Sequence, residues 1–328
     1  ENEPLFKFGI CPWYDKQCKR ASSKQQIAQE LDISYEGSGY QFFDLGMIDG
    51  LVKTDCMPQF LEADLIEDAD ENNRLVQAKG GKFSLWFWPD GAGLPQRDRQ
   101  YVIGVDVATG TGASNSAIVV VDCLTREKIL EYAHPHTEPN ELAKLTAALG
   151  RIFVDQDGLE AKVIWEANGP GTPFGKRLHE YGYRHVYYPP SNEKAVAGKR
   201  SKNPGFWTLN NSKITLLNRY RDALRARTFV NRSKEAVEEL RMYVYSSDGS
   251  VVHAESVDNS DPSGARKNHA DRVMADALAN HIMPMGRSAK TLQLAIEQTP
   301  VFVPYDSIEG RYLRRVEHER ETRTRSIW

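Results

Sequence analysis

The sequence predicts an α/β protein whose central sheet is built mainly from residues 101–189. Three β-rich runs follow one another from Tyr101, with the sequences YVIGVDV, SAIVVVD and EKILEYA. Only short turns separate them, so we expect three strands in a meander. Helical and strand patterns then alternate along the chain, which is typical of an α/β domain.

The residues before this core predict a small helical connector. Residues 12–31 suit a helix, residues 36–39 form a Gly/Ser turn, and residues 58–78 are acidic and helix-prone. Residues 83–88 (FSLWFW) then predict a strand that ends at the Pro-Asp-Gly of residues 89–91. We therefore expect a connector over residues 1–80 and a main domain over residues 81–285.

The main domain continues beyond the meander with further helices and strands. In chain order we expect a helix over 138–154, a strand in KVIWEA, a helix in GTPFGKRLHEYG, a strand in HVYYP, a polar loop over 189–207, helices over 208–227 and 233–242, a hairpin around 247–250 and a last helix over 269–282. The periodic pattern ends near Pro284. Residues 286–328 are expected to be a tail that is disordered or binds a partner.

Composition excludes several classes of protein. No apolar run reaches the roughly 18 to 20 residues of a membrane helix, and the amino terminus lacks a secretory signal, so we expect a cytoplasmic protein without a membrane partner. The four cysteines have neither zinc-site nor disulfide-framework spacing. The chain begins at Glu1 without a methionine, so we expect a fragment or a processed product of a longer protein.

The charge of the chain is strongly polarised. Residues 1–75 contain 15 Asp and Glu against 7 Lys and Arg, whereas residues 174–230 contain 12 Lys and Arg against 3 Asp and Glu. A basic stretch of this kind predicts a polyanionic partner such as nucleic acid. A solvated basic face of the helix over residues 208–227 explains any single arginine equally well.

Three carboxylates are candidates for chemistry. Asp106 ends an apolar strand before a Gly-rich turn, Glu166 ends the strand KVIWEA, and Asp271 lies in the first turn of the last helix. Ligands of α/β sheets gather beyond the carboxyl ends of strands, so we expect Asp106 and Glu166 at one edge. Each acid also has a structural interpretation, as a turn cap for the first two and as a helix-dipole partner for Asp271. Less favoured substitutes are Asp122, Asp258 and Asp261, and Asp276 is expected to form a salt bridge or support the site.

Three converging carboxylates would repel one another unless a divalent cation neutralised them. Ligand sets made only of oxygen favour Mg²⁺ or Mn²⁺. Two such ions can activate a water and stabilise the leaving oxygen in phosphodiester cleavage. The sequence therefore predicts a site for two Mg²⁺ or Mn²⁺ ions at Asp106, Glu166 and Asp271.

Three segments in this order, YVIGVDVATGTG, VIWEANGPGTPFGKRLHEYGY and NHADRVMADALA, resemble the nuclease domain of the large terminase subunit of tailed bacteriophages. The resemblance implies an RNase H-like mixed sheet flanked by helices over residues 81–285. It also implies a metal-dependent endonuclease that cuts concatemeric double-stranded DNA during packaging. By motif, the family's catalytic and metal-binding acids fall on Asp106, Glu166 and Asp271.

The first 45 residues resemble the end of the packaging ATPase domain of that family. The resemblance implies the ATPase domain, the small terminase subunit and the portal protein as partners in the host cytoplasm. The sequence has no GxxxxGK[ST] motif, so we expect no autonomous ATP hydrolysis from this chain. Many relatives carry a further acid where this chain has Ser114-Asn115-Ser116, which predicts weaker binding of the second metal ion and a preference for Mn²⁺.

The basic stretch supplies the candidate DNA-binding residues. They are Lys194, Lys199, Arg200 and Lys202 in the polar loop and Arg219 and Arg221 in the following helix. Contacts from such residues to phosphates would position the duplex without reading bases. His269 is a further candidate for a phosphate contact, although a histidine at a helix start can equally have no such role.

Three other functions remain open from the sequence. A transposase or junction resolvase would use the same acids and metals. Only the resemblance of the first 45 residues to the end of a packaging ATPase favours a terminase over these enzymes. A non-catalytic DNA-binding module would use the acids structurally. The turn in GVDVATGTG also resembles the phosphate-binding turn of sugar kinases and actin-like ATPases, but the sequence has no second Asp-Gly-Gly turn.

Overall fold

The protein is described here from a computed structural model. The structure describes residues 40–67, 73–190, 201–246, 250–253 and 271–283, together with the single helical positions Trp13, Lys16 and Arg20. All of them belong to one unit of the chain, residues 1–286. Apart from those three positions, the helix predicted over 12–31 lies outside the described residues, as do the hairpin tip at 247–249 and the tail.

The described residues form ten strands and six α-helices. The strands are β1 (Tyr40–Gln41), β2 (Leu61–Glu67), β3 (Asn73–Gln77), β4 (Phe83–Leu85), β5 (Tyr101–Asp106), β6 (Ser116–Asp122), β7 (Glu127–His134), β8 (Lys162–Trp165), β9 (Tyr243–Tyr245) and β10 (Val251–His253). The helices are α1 (Leu45–Thr54), α2 (Pro139–Ile152), α3 (Gly171–Glu180), α4 (Asn210–Arg225), α5 (Lys234–Glu239) and α6 (Asp271–Ile282). A 3₁₀ turn, Leu240–Met242, follows α5.

Seven strands form one mixed sheet in the order β3-β2-β4-β7-β6-β5-β8. The predicted meander is confirmed, because β5 pairs antiparallel with β6 and β6 pairs antiparallel with β7. The chain then crosses over through α2, and β8 pairs parallel with β5. A three-stranded meander whose first strand takes a parallel fourth strand is the RNase H-like arrangement, so the predicted fold class is confirmed.

The helix predicted within residues 58–78 is wrong, because these residues form the antiparallel pair β2 and β3. The run LEADLIE places Leu61, Ala63 and Leu65 on one side at a period of two, which suits a strand. An acid of β2 stabilises the turn that follows β3, because Glu62 accepts a hydrogen bond from the Gly80 amide at 2.6 Å. Since β2 also pairs with β4, strands on both sides of residue 80 belong to one sheet.

The strand predicted in HVYYP is also wrong as a full strand. Val186 forms a single parallel bridge with Val163 of β8, and the Tyr187 amide donates to the Val163 carbonyl at 2.8 Å. The segment then leaves the sheet. The Gly205 amide donates to the Tyr187 carbonyl, and Phe206 forms the next parallel bridge, with Glu166. The edge of the sheet is therefore shared between two short segments.

Two apolar cores lie on opposite faces of the large sheet. The first joins α1, α4, α5 and α6 to one set of alternate strand residues, among them Val102 and Val119. The second joins α2 and α3 to the other set, among them Ile103 and Val120. This alternation follows from the period of two in a strand, and it makes the sheet the middle of three layers.

Helix α6 lies against β5 at a glycine. A Cβ atom at Gly104 would lie 2.1 Å from the carbonyl oxygen of Ala275 and 2.8 Å from the amide nitrogen of Ala279. Any side chain at residue 104 would therefore push α6 away from the sheet. The carboxyl end of β5 and the amino end of α6 consequently lie close together.

A buried ionic network fixes α6 along its length. The Lys128 ammonium on β7 lies 3.0 Å from the Asp276 carboxylate and 2.5 Å from the Glu131 carboxylate. Burial acts to lower the pKa of Lys128, but the charges of Asp276 and Glu131 outweigh it and raise that pKa, so the lysine stays charged. The Arg272 guanidinium, one helical turn before Asp276 on α6, contacts Glu131 at 2.8 Å and Glu239 at 2.6 Å. The prediction that Asp276 forms a salt bridge is confirmed.

We expect Asp276→Ala to lower the free energy of unfolding by about 3–5 kcal/mol, because it leaves the buried Lys128 charge without its helix partner. Urea unfolding followed by circular dichroism measures this loss. The control is Arg177→Ala, which removes an exposed ion pair with Glu180 on α3 and should leave the midpoint near that of the wild type. Equal midpoints for the two variants would contradict the prediction.

Candidate functional site

Asp106 and Glu166 meet at the carboxyl ends of two adjacent parallel strands. Val105 of β5 is paired with Trp165 of β8, so the next residues on the two strands are Asp106 and Glu166. The Glu166 amide donates to the Val105 carbonyl at 3.3 Å, which continues the ladder one step further. The two residues follow paired positions of parallel strands, so their side chains face the same side of the sheet.

Asp271 lies over the same end of β5. Gly104 and Asp106 are two residues apart on a strand, so their side-chain positions face the same side of the sheet. At Gly104 that side is covered by Ala275 of α6, and Asp271 lies one helical turn before Ala275. The third predicted acid therefore begins α6 above the pair formed by Asp106 and Glu166.

The loop between β5 and β6 holds the Asp271 carboxylate by both oxygens. The Ser114 hydroxyl donates to one oxygen at 2.7 Å, and the Asn115 amide donates to the other at 2.6 Å. Hydrogen bonds to a carboxylate are among the stronger ones in proteins. In Ser114-Asn115-Ser116, where many relatives carry a further acid, the first two residues thus fix the orientation of the Asp271 carboxylate.

The electrostatics show that the three acids act on one another. Burial raises the pKa of Asp106 well above its ordinary value, and the negative charges of Glu166 and Asp271 raise it further. The positive charge of Lys213 acts to lower the pKa of Asp106, so this lysine is close enough to interact with the carboxylate. The site therefore concentrates negative charge and draws at least one cation or proton.

These donors fit a divalent cation. All are carboxylates, and a cation at this place would offset the negative charges of Glu166 and Asp271 that act on Asp106. Within the described residues, no three histidine, cysteine or carboxylate side chains close around a single ion position. Asp106 and Glu166 lie at the carboxyl ends of β5 and β8, and Asp271 begins α6 above the same end of β5.

The predicted DNA-binding residues fall into three groups. Lys194, Lys199, Arg200 and His269 lie outside the described residues. Lys202 is exposed, and so is Arg219 on α4, whose guanidinium donates to His281 Nδ1 at 3.2 Å. Arg221 has a structural contact instead, since it donates to the Phe42 carbonyl at 3.0 Å and its guanidinium lies 4.7 Å from the centre of the Phe42 ring.

Lys213 is the basic residue that the sequence did not single out. It lies in the first turn of α4 beyond Leu209, and the start of this helix is tied to the loop after Glu166. There the Asn168 side chain donates to the Thr208 carbonyl at 2.7 Å and accepts from the Thr208 amide at 2.8 Å. The sequence shows only one more lysine in a basic stretch, because the contact between residues 168 and 208 cannot be read from it.

The substitute acids do not join the site where the structure describes them. Asp122 ends β6 at the opposite end of β5, where it pairs with Arg99 at 2.7 Å and accepts from the Leu124 amide. Asp276 belongs to the buried network of Lys128. Asp258 and Asp261 lie outside the described residues.

Together, the fold and the site define an RNase H-like domain with acids at the carboxyl ends of two adjacent parallel strands. No protein-family model matches the chain, and no curated protein matches it. Solved structures that the chain matches include terminase nuclease domains. The chain also contains no helix, within the described residues, that could cross a membrane.

Three of these solved structures illustrate the range of similarity. The large terminase nuclease of thermophilic phage G20c with bound magnesium is 16% identical over 72% of this chain and 96% of its own, with a TM-score of 0.47. The large terminase nuclease domain of Thermus phage P74-26 is 15% identical over 72% and 94%, with a TM-score of 0.44. The human cytomegalovirus terminase nuclease domain, soaked with manganese, is 10% identical over 56% and 84%, with a TM-score of 0.31. Because these identities and TM-scores are low, the fold is assigned from the strand order and connections of this chain itself.

We expect Ser114→Ala to weaken Mn²⁺ binding roughly 10- to 100-fold, because one oxygen of the Asp271 carboxylate loses its hydrogen-bond donor. Isothermal titration of Mn²⁺ into the full chain measures the affinity. Ser114→Thr keeps a hydroxyl and should retain most of it. The matched control is Thr109→Ala, an exposed position in the same loop whose hydroxyl contacts Thr111. An affinity unchanged in Ser114→Ala would show that this hydroxyl does not orient the acid.

Proposed function

We propose that this protein is a metal-dependent DNA endonuclease of a viral genome-packaging terminase, with Asp106, Glu166 and Asp271 as catalytic and metal-binding residues. The observation that supports it most strongly is the position of Asp106 and Glu166 at the ends of adjacent parallel strands, with Asp271 held above the same end of β5 by Ser114 and Asn115. Half-buried carboxylates brought to one place repel one another, which is costly for a fold unless a cation or a proton neutralises them.

The three acids would contribute through their fixed positions. Two bound Mg²⁺ or Mn²⁺ ions would supply an activated water and a stabilised leaving oxygen. The chain orients Asp106 and Glu166 by the strand register, and it orients Asp271 by the donors at Ser114 and Asn115. Because the ligands are held in place before the substrate arrives, little reorganisation is needed during the reaction.

The substrate proposed for this site is double-stranded DNA. Lys213 places a positive charge near Asp106, and Lys202 and Arg219 are exposed on the segments that precede and include α4. Together with Lys194, Lys199, Arg200 and His269 they would bind phosphates, which positions a duplex over the acids without reading its sequence. We leave Arg221 out of this surface because it holds Phe42.

The biological setting follows from the sequence resemblance and remains part of the proposal. The chain would act on concatemeric DNA in the host cytoplasm, together with the ATPase domain, the small terminase subunit and the portal protein. The terminase nuclease domains of phages G20c and P74-26 belong to the same class of protein as the family named from the sequence motifs.

We expect Asp106→Ala to lower the rate of plasmid cleavage at least 1,000-fold, roughly the loss seen when an essential catalytic group is removed. Conversion of supercoiled plasmid to nicked and linear forms in Mn²⁺ or Mg²⁺ measures the rate. Asp98→Ala, which alters an exposed acid at the other end of β5, should cut as the wild type does. Cleavage by Asp106→Ala at the wild-type rate would disprove the proposed function.

We expect Lys213→Gln to weaken DNA binding at all sequences and to lower the slope of log K against log salt by about 1, because one phosphate contact is lost. Fluorescence anisotropy of a labelled duplex in EDTA separates this effect from cleavage. Lys79→Gln removes an exposed lysine after β3, at the far side of the sheet, and serves as the control. A slope that is identical in the two variants would place the DNA elsewhere.

A further inference from the structure

The Glu239 side chain lies at the amino end of α6, beside the first turn that carries Asp271. Glu239 is the last residue of α5 and is only 9% exposed. One of its carboxylate oxygens accepts a hydrogen bond from the Arg272 backbone amide at 3.1 Å, and the other accepts one from the Arg272 guanidinium at 2.6 Å. Both oxygens of this buried acid therefore contact a single residue, the one that follows Asp271.

The backbone contact satisfies a donor that α6 itself leaves free. The first amides of an α-helix have no carbonyl partner within the helix, and Arg272 is the second residue of α6. A negative charge at this end of a helix is also favoured by the helix dipole. Glu239 thus supplies, from α5, a capping contact for the start of α6.

This capping contact fixes the backbone of Asp271. The Arg272 amide belongs to the planar peptide unit that also contains the Asp271 Cα atom. A hydrogen bond that holds this unit therefore fixes the direction in which the Asp271 side chain leaves the helix. The Ser114 hydroxyl and the Asn115 amide hold the carboxylate at the far end of the same side chain. Asp271 is thus held at its backbone by one part of the chain and at its carboxylate by another.

The segment over residues 231–239 is attached to α6 at both of its ends. At its start, the Asn231 side chain donates to the Asp276 carboxylate at 2.7 Å and accepts from the Ser233 amide at 3.1 Å. At its end, the two contacts with Arg272 are made. Because Arg272 and Asp276 are one turn apart on α6, the segment cannot shift along the helix without breaking one of these hydrogen bonds.

The chain that follows Glu239 is also close to the acids. Tyr243 begins β9 after the 3₁₀ turn and is 2% exposed. Burial raises the pKa of its phenol well above the ordinary value, and the charges of Asp106, Glu239 and Asp271 raise it further. Charges act on a phenol in this way only from nearby, so the end of α5 and the start of β9 border the acid site.

Glu239 and Arg272 depend on each other. Burial raises the pKa of Glu239 to about 8, and the charge of Arg272 acts against this rise. Burial acts to lower the pKa of Arg272, but the charges of Glu131 and Glu239 outweigh it and raise that pKa. The two contacts need an ionised Glu239, because a protonated carboxyl group presents a donor at one of its oxygens.

We infer that Glu239 is a positioning residue for Asp271, which it holds in place by fixing Arg272 and the first turn of α6. This inference rests on the proposed nuclease function and adds a supporting carboxylate to its three acids. Glu239 is not assigned as a metal ligand, since Arg272 occupies both of its oxygens. Groups that orient a metal ligand in this way typically contribute roughly 10- to 100-fold to metal affinity.

The first test compares Glu239→Gln with the wild type at about pH 8.5, above the pKa of Glu239. Glutamine occupies nearly the same volume, but only one of its two polar atoms accepts hydrogen bonds, so one contact with Arg272 is lost. We expect Mn²⁺ affinity, measured by isothermal titration of the full chain, to fall roughly 10- to 100-fold. The matched control is Glu238→Gln, which alters the preceding acid on α5, whose side chain is 40% exposed and pairs with Arg241. Its Mn²⁺ affinity should equal that of the wild type.

A second readout needs neither metal nor DNA. If Glu239 holds Asp271, its loss should weaken the hydrogen bond that the Asn115 amide donates to the Asp271 carboxylate. Hydrogen exchange of the Asn115 amide, followed by NMR in EDTA, should be roughly 3- to 10-fold faster in Glu239→Gln, as expected when part of one hydrogen bond is lost. Exchange at Val119, in the middle of β6, reports general opening of the sheet and should stay within about twofold of the wild type.

A second variant tests the same contact from its other partner. Arg272→Lys keeps a positive charge and the backbone amide but loses the guanidinium contact with Glu239. We expect it to change Mn²⁺ affinity and Asn115 exchange in the same directions as Glu239→Gln. Circular dichroism of each variant checks that the fold is retained before either measurement.

The outcomes separate this inference from the proposed function. Wild-type Mn²⁺ affinity in Glu239→Gln, or equal increases of exchange at Asn115 and Val119, would overturn the inference and leave Glu239 as a general stabilising contact. A wild-type protein that binds Mn²⁺ more tightly than Glu239→Gln but cuts no DNA would support the inference and disprove the nuclease. If the wild type neither binds Mn²⁺ nor cuts DNA, the proposed function fails, and exchange at Asn115 alone decides whether Glu239 holds Asp271.

Discussion

The described structure depends on the close contact between β5 and α6. Gly104 leaves no side chain between the strand and the helix, so the carbonyl of Ala275 lies where a Cβ atom would be. This contact brings negative charge from two distant parts of the chain together, because Asp106 follows Gly104 on the strand and Asp271 precedes Ala275 on the helix. Mutual repulsion of the acids would separate the two elements if packing did not hold them.

The ionic network of α6 counteracts this repulsion. Lys128 and Arg272 carry positive charge into the layer between sheet and helices, and they contact Asp276, Glu131 and Glu239. Arg272 is the residue after Asp271, so its contacts also fix the rotation of the first turn of α6. A network in which each charge has a partner can hold a helix in one register, whereas an incomplete one would be costly. Support for the site therefore extends well beyond the three acids.

Much of the fold was predictable from local patterns. The meander, the crossover helix α2 and the parallel strand β8 were correctly predicted because their apolar periodicity is long and unambiguous. The hairpin of β2 and β3 was not, because acids at 62 and 64 favour a helix by composition while their partners, the amides of Gly80 and Lys82, lie 18 residues away. The strand predicted in HVYYP was reduced to one bridge for a similar reason, since competition from residues 205–206 is invisible locally.

The sequence by itself identified Asp106, Glu166 and Asp271 as the candidate acids, because each stands at the end or start of a strongly periodic element. It also indicated that Asp276 would form a salt bridge or support the site rather than join these acids, and in the structure Asp276 pairs with Lys128. Only the tertiary structure decided that Ser114 and Asn115 hold Asp271, and that the charge of Lys213 acts on Asp106 while Arg221 packs on Phe42. These features arise from contacts between residues far apart in the chain, and periodicity reports only which side of its own element a residue occupies.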